Sequence, residues 1–186
     1  MYEVEVKAHL KDRKAVMEKL KGLGCRFGKE LHQVDHIFIP DGIPFPPPLG
    51  TPVLRVRKQG SIYFFTLKIS QGNRTDSIER EMEISEGEKM IEILKLLKLK
   101  ETVVVDKKRI KTSFKDMEIV LDNVKDLGEF IEAEKIIKDE NPEHRKKIQD
   151  ELFLFLETLG VAKRDHVVGG KYDIMLSEIY KKLRVK

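Results

Sequence analysis

Charged side chains in this chain of 186 residues are sorted by sign along short alternating segments. In the first segment every second residue is apolar, so Glu3, Glu5 and Lys7 share one face of a predicted strand. Arg55 and Arg57 share a face in the same way. Same-face neighbours on a strand lie about 7 Å apart, and like charges at that distance repel unless something neutralises them. Clustered carboxylates indicate divalent cations, and clustered arginine and lysine indicate phosphate.

The same separation by sign recurs along most of the chain. For any single strand the simpler interpretation is a solvated sheet face, which also carries charge. A solvated face usually mixes the two signs, however, so pairs of like charge on several strands favour a binding site. The acidic positions are Glu3, Glu5, Glu81, Glu83, Asp122, Glu132 and Glu134, and the basic positions are Lys7, Arg55, Arg57, Lys68, Lys107 and Arg109.

The ligand types narrow the choice of metal. The acidic positions supply hard oxygen atoms without a neighbouring histidine or cysteine, which predicts Mg²⁺ or Mn²⁺ rather than zinc. The five histidines are scattered without the spacing of a metal site. Cys25 is the single cysteine, so neither an internal disulfide nor a cysteine-based zinc site is expected.

Hydrophobic periodicity predicts an α+β chain with about eight strands. Most connections between the strands are short, so the sheet should be mainly antiparallel, and eight such strands can close into a barrel with helices packed on its apolar outside. The predicted strands are residues 2–7, 33–39, 53–58, 62–70, 78–84, 102–111, 117–124 and 130–137. The predicted helices follow an Asp12 cap, a capping box at Ser85 and Glu88, an Asn141 cap and Tyr172. Six of the seven prolines lie between residues 40 and 52, where we expect a stiff surface loop.

Composition favours a single globular domain over residues 1–186. Hydrophobic residues make up 40% of the chain and charged residues 37%, with a net charge of +4 and a pI near 9.0. No apolar run approaches the ~20 residues of a membrane helix, and the acidic, alternating N-terminus is unlike a signal peptide. We therefore expect a cytoplasmic protein. Abundant lysine and glutamate with few amides are typical of hyperthermophiles.

The ordered set of charged motifs resembles the CYTH superfamily, the triphosphate tunnel metalloenzymes, which include class IV adenylate cyclases and thiamine triphosphatases. The length of the chain and its C-terminal tail are most similar to those of the class IV adenylate cyclase branch. The matching motifs are Glu3-x-Glu5-x-Lys7, Leu54-Arg55-Val56-Arg57, Thr66-Leu67-Lys68, Arg80-Glu81-Met82-Glu83, Lys107-Lys108-Arg109, Leu121-Asp122-x-Val124 and Gly128-x-Phe130-Ile131-Glu132-Ala133-Glu134.

This resemblance implies an eight-stranded antiparallel tunnel and a role for each charged position. The seven acidic residues would hold the metal ions, with Glu83 favoured over Glu81. The six basic residues would bind the phosphates, and Lys7, Arg55 and Arg57 would take part in catalysis. The implied enzyme needs Mg²⁺ or Mn²⁺ and converts ATP into cyclic AMP and pyrophosphate. Hydrolysis of thiamine triphosphate or inorganic tripolyphosphate stays open as an alternative. The sequence does not identify the group that accepts the proton, and Lys7 is a candidate.

Two motifs differ from the family pattern. A second-strand Asp-x-Tyr-Phe is replaced by Asp35-His36-Ile37-Phe38, and a C-terminal Tyr-x-Asp-Leu-Leu is replaced by Tyr172-Asp173-Ile174-Met175-Leu176. We expect both motifs to lie outside the charged core and to affect the identity of the substrate rather than triphosphate binding.

A second alternative is a noncatalytic module that binds RNA or another polyanion. The basic pI and the Lys107–Lys111 and Arg145–Lys147 stretches favour it, although the latter is expected to form a solvated helix face. Aromatic residues make up only 7% and do not alternate with basic ones, as a stacking surface would require. We therefore expect a small triphosphate as partner rather than nucleic acid or membrane. A homodimer formed through the proline loop or the tail helix stays open.

Overall fold

The computed structural model describes residues 2–72, 76–138, 141–167 and 171–184. The strands are β1 (Tyr2–His9), β2 (Leu31–Pro40), β3 (Pro52–Gln59), β4 (Ile62–Ser70), β5 (Asp76–Ile84), β6 (Leu99–Phe114), β7 (Met117–Val124), β8 (Gly128–Ile137) and β9 (His166–Val167). The α-helices are α1 (Arg13–Gly22), α2 (Gly87–Leu96), α3 (Pro142–Thr158) and α4 (Tyr172–Arg184). Within these residues, no helix combines the length and apolar character that crossing a bilayer requires.

The first eight strands form one closed antiparallel barrel in the order β5-β4-β3-β2-β6-β7-β8-β1. β1 closes it, because it pairs with β8 along its whole length and with β5 at Glu3–Ser77 and Val4–Asp76. The two-residue β9 pairs with β1 beside Lys7. The predicted α+β fold, an eight-stranded antiparallel barrel with helices outside, is confirmed.

The two faces of each barrel strand have opposite surroundings. On β1, Val4 and Val6 are almost completely buried on the outer face, in a core that α1 and α3 complete with Leu20 and Leu152. The alternate residues of β1 point into the barrel. The apolar side of each strand is thus covered by helices, and the polar side faces an internal cavity.

Helix α4 differs from the other helices in what it covers. Tyr172 and Leu176 pack against Ile37, Val105 and Phe130, which belong to the inward faces of their strands. Helix α4 therefore lies across one end of the barrel, and residues at its start reach the cavity.

Three of the four predicted helix starts are confirmed, including α4 at Tyr172, and one is wrong. The Asp12 carboxylate accepts the Ala15 N–H at 2.9 Å, and Asn141 caps α3. The capping box at Ser85 and Glu88 does not form: α2 begins at Gly87 after Glu86, and the Glu88 carboxylate instead accepts the Tyr63 hydroxyl at 2.8 Å. A side chain at residue 87 would overlap the Tyr63 ring, so glycine is required there.

Candidate active site

The interior of the barrel is a cavity of about 290 Å³, and all eight barrel strands contribute side chains to its wall. Most of the predicted site residues meet there, although they come from distant parts of the sequence. The predicted residues that line the cavity are Glu3, Glu5, Lys7, Arg55, Arg57, Lys68, Glu81, Lys107, Arg109, Glu132 and Glu134.

Two predicted residues do not line the cavity. Glu83 is exposed near the end of β5, whereas Glu81 on the same strand face reaches the wall. The preference for Glu83 over Glu81 therefore puts the metal ligand too far along β5. Alternation determines which face of a strand a residue lies on, but not how deep in the barrel that residue lies. Asp122 is completely buried, and its two oxygens accept the Arg109 Nε–H and Nη2–H at 2.8 and 2.5 Å.

A group of three carboxylates forms the acidic part of the wall. Carboxylate oxygens of Glu3, Glu5 and Glu134 lie within 4.8 Å of one another, because Glu5 and Glu134 are directly opposite on β1 and β8. Burial, followed by the charges of Glu3, Glu118 and Glu5, raises the pKa of Glu134 to about 8. Burial also raises the pKa of Glu3. Such a group of buried like charges fits a divalent cation.

Glu132 lies next to this group and bridges two cations. It forms an ion pair with Lys7 Nζ at 2.9 Å and accepts a hydrogen bond from Arg109 Nη2 at 2.9 Å. Burial opposes ionisation, but Lys7 and Arg109 outweigh it and hold the pKa of Glu132 well below its usual range. Lys7 stays protonated. Burial lowers the pKa of its ammonium group, but the charges of Glu132 and Glu5 outweigh burial and raise that pKa above its usual value.

The neighbouring part of the wall joins two further cations through a residue that the sequence analysis missed. Glu79 accepts a hydrogen bond from Arg55 at 3.1 Å and forms an ion pair with Lys68 at 2.8 Å. Lys68 also contacts Glu3 at 2.9 Å, and Arg55 contacts Glu81 at 2.9 Å. The alternation that marked Glu81 extends back to Glu79, so the signal was present in the sequence.

Asp35 and Tyr172 lie inside the charged site, so the expectation that their motifs lie outside it is wrong. Asp35 accepts Arg57 Nε–H and Nη2–H at 2.6 and 2.9 Å and Lys107 Nζ–H at 3.1 Å. The ring of Tyr172 lies 4.0 Å from Lys7 Nζ. The physical reason is tertiary: β2 runs between the cation-bearing strands β3 and β6, and α4 lies across the end of the barrel. The single carboxylate on β2 was the available signal for Asp35.

Two lysines of the cavity have lowered pKa values. For Lys107, burial and then Arg109 lower the pKa to about 8, and Asp35 opposes the shift. For Lys171, which precedes α4 and was not predicted, burial and then Lys68 lower the pKa to about 8. Both ammonium groups lie among other cations, as phosphate-binding groups do.

The basic stretch on α3 forms the predicted solvated face only in part, because Lys146 and Lys147 are exposed but Arg145 is not. Arg145 is buried, with its guanidinium 4.5 Å from the centre of the Tyr2 ring. Lys146 is exposed and pairs with Asp150 on the same helix. The stretch is therefore divided between core packing and a local ion pair.

Comparison with known proteins agrees with this architecture. A CYTH domain family model matches residues 1–170. A Methanocaldococcus jannaschii protein named "Putative adenylate cyclase MJ0240" is 34% identical over 177 residues, which is 92% of this chain and 97% of that protein. The PH1012 protein of Pyrococcus horikoshii superposes with a TM-score of 0.76 at 29% identity, covering 92% of this chain and 97% of that one. The PH1819 protein of the same organism gives 0.80 at 26% identity, covering 95% and 99%. The chain belongs to the CYTH domain family.

Proposed function

We propose that this protein is a Mg²⁺- or Mn²⁺-dependent enzyme that converts ATP into cyclic AMP and pyrophosphate. The observation that carries the proposal is the convergence, in the barrel cavity, of a three-carboxylate group with the six predicted phosphate-binding cations. The Methanocaldococcus jannaschii relative, named a putative adenylate cyclase and 34% identical, supports this reaction over others that the same charges could serve.

Glu3, Glu5 and Glu134 are the residues that would hold the metal ion. Their oxygen atoms are the ligands that Mg²⁺ and Mn²⁺ prefer, and the raised pKa of Glu134 indicates that its negative charge is poorly balanced without a cation. A bound ion would neutralise phosphate charge and lower the pKa of the attacking hydroxyl group. The metal roles of Glu81, Glu83, Asp122 and Glu132 stay predictions. Glu81 already pairs with Arg55, and Asp122 and Glu132 already pair with Arg109.

The cations would bind and orient the triphosphate chain. Phosphoryl transfer depends mainly on positioning and on stabilising charge, and a guanidinium can donate two parallel hydrogen bonds to phosphate oxygens. In the proposed reaction the ribose 3′-oxygen forms a bond to the α-phosphorus while the bond from that phosphorus to pyrophosphate breaks, and the 3′-hydroxyl proton passes to solvent water. Lys7 would hold phosphate as a cation, because its raised pKa does not suit it to accept the hydroxyl proton. The proposed phosphate-binding residues are Lys7, Arg55, Arg57, Lys68, Lys107 and Arg109.

The residues at one end of the cavity favour an organic triphosphate over inorganic tripolyphosphate as the substrate. Beyond the charged wall, apolar side chains from β2, β3, β6, the proline loop and α4 line the same cavity. Such a surface favours a base or another organic group, whereas inorganic tripolyphosphate has nothing apolar to place there. The apolar residues at this end are Ile37, Pro47, Pro48, Val53, Val105 and Ile174.

The test is incubation of the protein with Mg²⁺ or Mn²⁺ and, separately, ATP, thiamine triphosphate and tripolyphosphate, with products resolved by chromatography. We expect cyclic AMP and pyrophosphate from ATP. Glu5→Gln and Arg57→Ala should each lower turnover by ~100-fold or more, the loss typical of removing one stabilising group from a phosphoryl-transfer site. Lys89→Gln, an exposed substitution on α2, is the control and should keep wild-type turnover.

Other outcomes would revise the proposal in defined ways. Release of orthophosphate would identify a triphosphatase, and the substrate that is consumed fastest would name its class. Full activity in EDTA would exclude a metal-dependent reaction.

A further inference from the structure

We propose that Asp35 is a positioning residue that fixes the orientation of Arg57 and Lys107 for triphosphate binding. This inference rests on the proposed function, because it assigns Asp35 a role in preparing the same site. Asp35 lies on β2, between the strand that carries Arg57 and the strand that carries Lys107. It is 3% exposed, so the contacts that it makes are shielded from solvent.

The contact with Arg57 defines the plane of the guanidinium. Both Asp35 oxygens are used, one by Nε–H at 2.6 Å and the other by Nη2–H at 2.9 Å. Asp35 and Arg57 are also register partners on β2 and β3, so the backbone fixes the distance between them. A guanidinium has five N–H donors. The paired edge uses two of them, which leaves the opposite edge of Arg57 for phosphate oxygens in the cavity.

The contact with Lys107 gives Asp35 a second task. Lys107 is 4% exposed and lies near Arg57 and Arg109, whose charges disfavour its protonation. Asp35 is the carboxylate that most strongly opposes this lowering of the Lys107 pKa. Burial raises the pKa of Asp35, but Lys107 and Arg57 outweigh burial and hold that pKa well below its usual range. One permanently charged carboxylate therefore anchors two cations.

The geometry separates Asp35 from the proposed metal ligands. Among the described residues, the carboxylates that lie close together are those of Glu3, Glu5 and Glu134. Asp35 lies across the cavity from them, among cations. Asp122 makes the same two-point contact with Arg109. Two arginines of the site are thus each held by an aspartate from a neighbouring strand.

Two substitutions distinguish positioning from simple charge balance. Asp35→Asn keeps the size of the side chain and removes its charge. Asp35→Glu keeps the charge and moves the carboxylate by about 1 Å, a displacement large enough to cost ~100-fold in turnover when it misplaces a binding group. If Asp35 positions Arg57, both variants lower kcat/KM by ~10–100-fold. If it only balanced charge, Asp35→Glu would behave like wild type, and that result would overturn the proposal.

Nuclear magnetic resonance of arginine side chains provides a readout that does not need activity. In the wild-type protein the Nε–H groups of Arg57 and Arg109 both donate to buried carboxylates, so both should exchange slowly with water. Asp35→Asn should accelerate exchange at Arg57, assigned by Arg57→Lys, and leave Arg109 as the internal reference. Asp106→Asn, which removes a carboxylate on the outer face of β6 that pairs with His32, should change neither signal.

The outcomes separate this inference from the proposed function. Unchanged exchange at Arg57 in Asp35→Asn would overturn the positioning role, whatever the substrate. A wild-type protein that turns over no triphosphate would contradict the proposed function, and the exchange comparison would still decide the role of Asp35. Should Asp35→Asn fail to fold, Asp35→Glu retains the charge and decides the question by the same two measurements.

Discussion

Lys171 shows how a single side chain in the cavity is affected by its surroundings. Its ammonium lies near the Ser70 hydroxyl, with Nζ and Oγ 3.4 Å apart. Burial and Lys68 disfavour its charge and lower its pKa to about 8, whereas Glu5 and Asp173 partly oppose them. A bound triphosphate would supply the missing negative charge. At this scale Lys171 is a cation whose local counter-charges are incomplete.

The lowered pKa of Lys171 predicts a pH dependence of stability. The folded protein releases this proton near pH 8 and the unfolded chain near pH 10.5, so the unfolded state binds more protons in that window and stability from this group rises with pH. Lys171→Gln removes the effect. We expect the variant to be more stable than wild type at pH 7 by about 1 kcal/mol, or ~2–4 °C in Tm, and the difference to vanish by pH 10.

Thermal melts of both proteins between pH 7 and pH 10 measure this difference. Lys147→Gln, an exposed substitution on α3, is the matched control and should not change the pH dependence. A constant offset between wild type and Lys171→Gln across the range would contradict the prediction.

At the scale of elements, α3 and α4 make comparable contacts on opposite sides of the barrel wall. Leu152 of α3 and Leu176 of α4 are both completely buried. Leu152 belongs to the outer core with Val4 and Val6, whereas Leu176 packs against side chains of the inward face. The two helices therefore share a stabilising role, but only α4 brings residues such as Tyr172 and Ile174 to the cavity.

Truncating each leucine separates these roles. Leu152→Ala and Leu176→Ala should each lower stability by about 2–5 kcal/mol, the usual cost of a buried leucine. At a temperature where both variants are folded, Leu152→Ala should keep KM close to wild type. Leu176→Ala should raise KM by ~5-fold or more, because a loosened α4 no longer fixes the apolar end of the cavity. Steady-state kinetics at matched folded fractions check this, and equal KM values would refute it.

Alternation along the strands predicted the face of each charged residue but not its depth in the barrel. Glu3, Glu5 and Lys7 of β1 all line the cavity as predicted. On β5 the same alternation runs through Glu79, Glu81 and Glu83, yet Glu83 lies beyond the wall. Depth depends on how neighbouring strands are offset around the barrel, and this offset results from pairings such as Glu3 with Ser77, which no local pattern encodes.

At the scale of the whole molecule, the barrel balances its internal charges largely without help. Each of the six predicted phosphate-binding cations contacts a carboxylate within the cavity region. These cations are enclosed by the barrel, which weakens the alternative of an RNA-binding surface, because a nucleic-acid backbone needs accessible cations. We therefore expect the proposed metal ion to serve the reaction rather than the fold.

Metal removal tests this distinction. In EDTA the protein should keep its circular dichroism spectrum and unfold cooperatively, while turnover stops and returns when Mg²⁺ is added. Added Mg²⁺ or Mn²⁺ should raise Tm by mass action, and Glu134→Gln should lose most of that increase. Glu92→Gln, on the exposed side of α2, is the matched control and should retain it. Unfolding in EDTA, or an unchanged increase in Glu134→Gln, would argue against the assigned metal residues.

The sequence by itself determined the strand periodicity, the antiparallel barrel and the identity of most charged residues that face its interior. These follow from local physics, since side chains alternate along a strand and short connections join antiparallel neighbours. Only the tertiary structure decided that Asp35 anchors Arg57 and Lys107, that Tyr172 covers Lys7, and that Glu79 rather than Glu83 reaches the cavity. Each of these facts depends on contacts between segments that are far apart in the chain, and their distances are fixed only when the barrel closes.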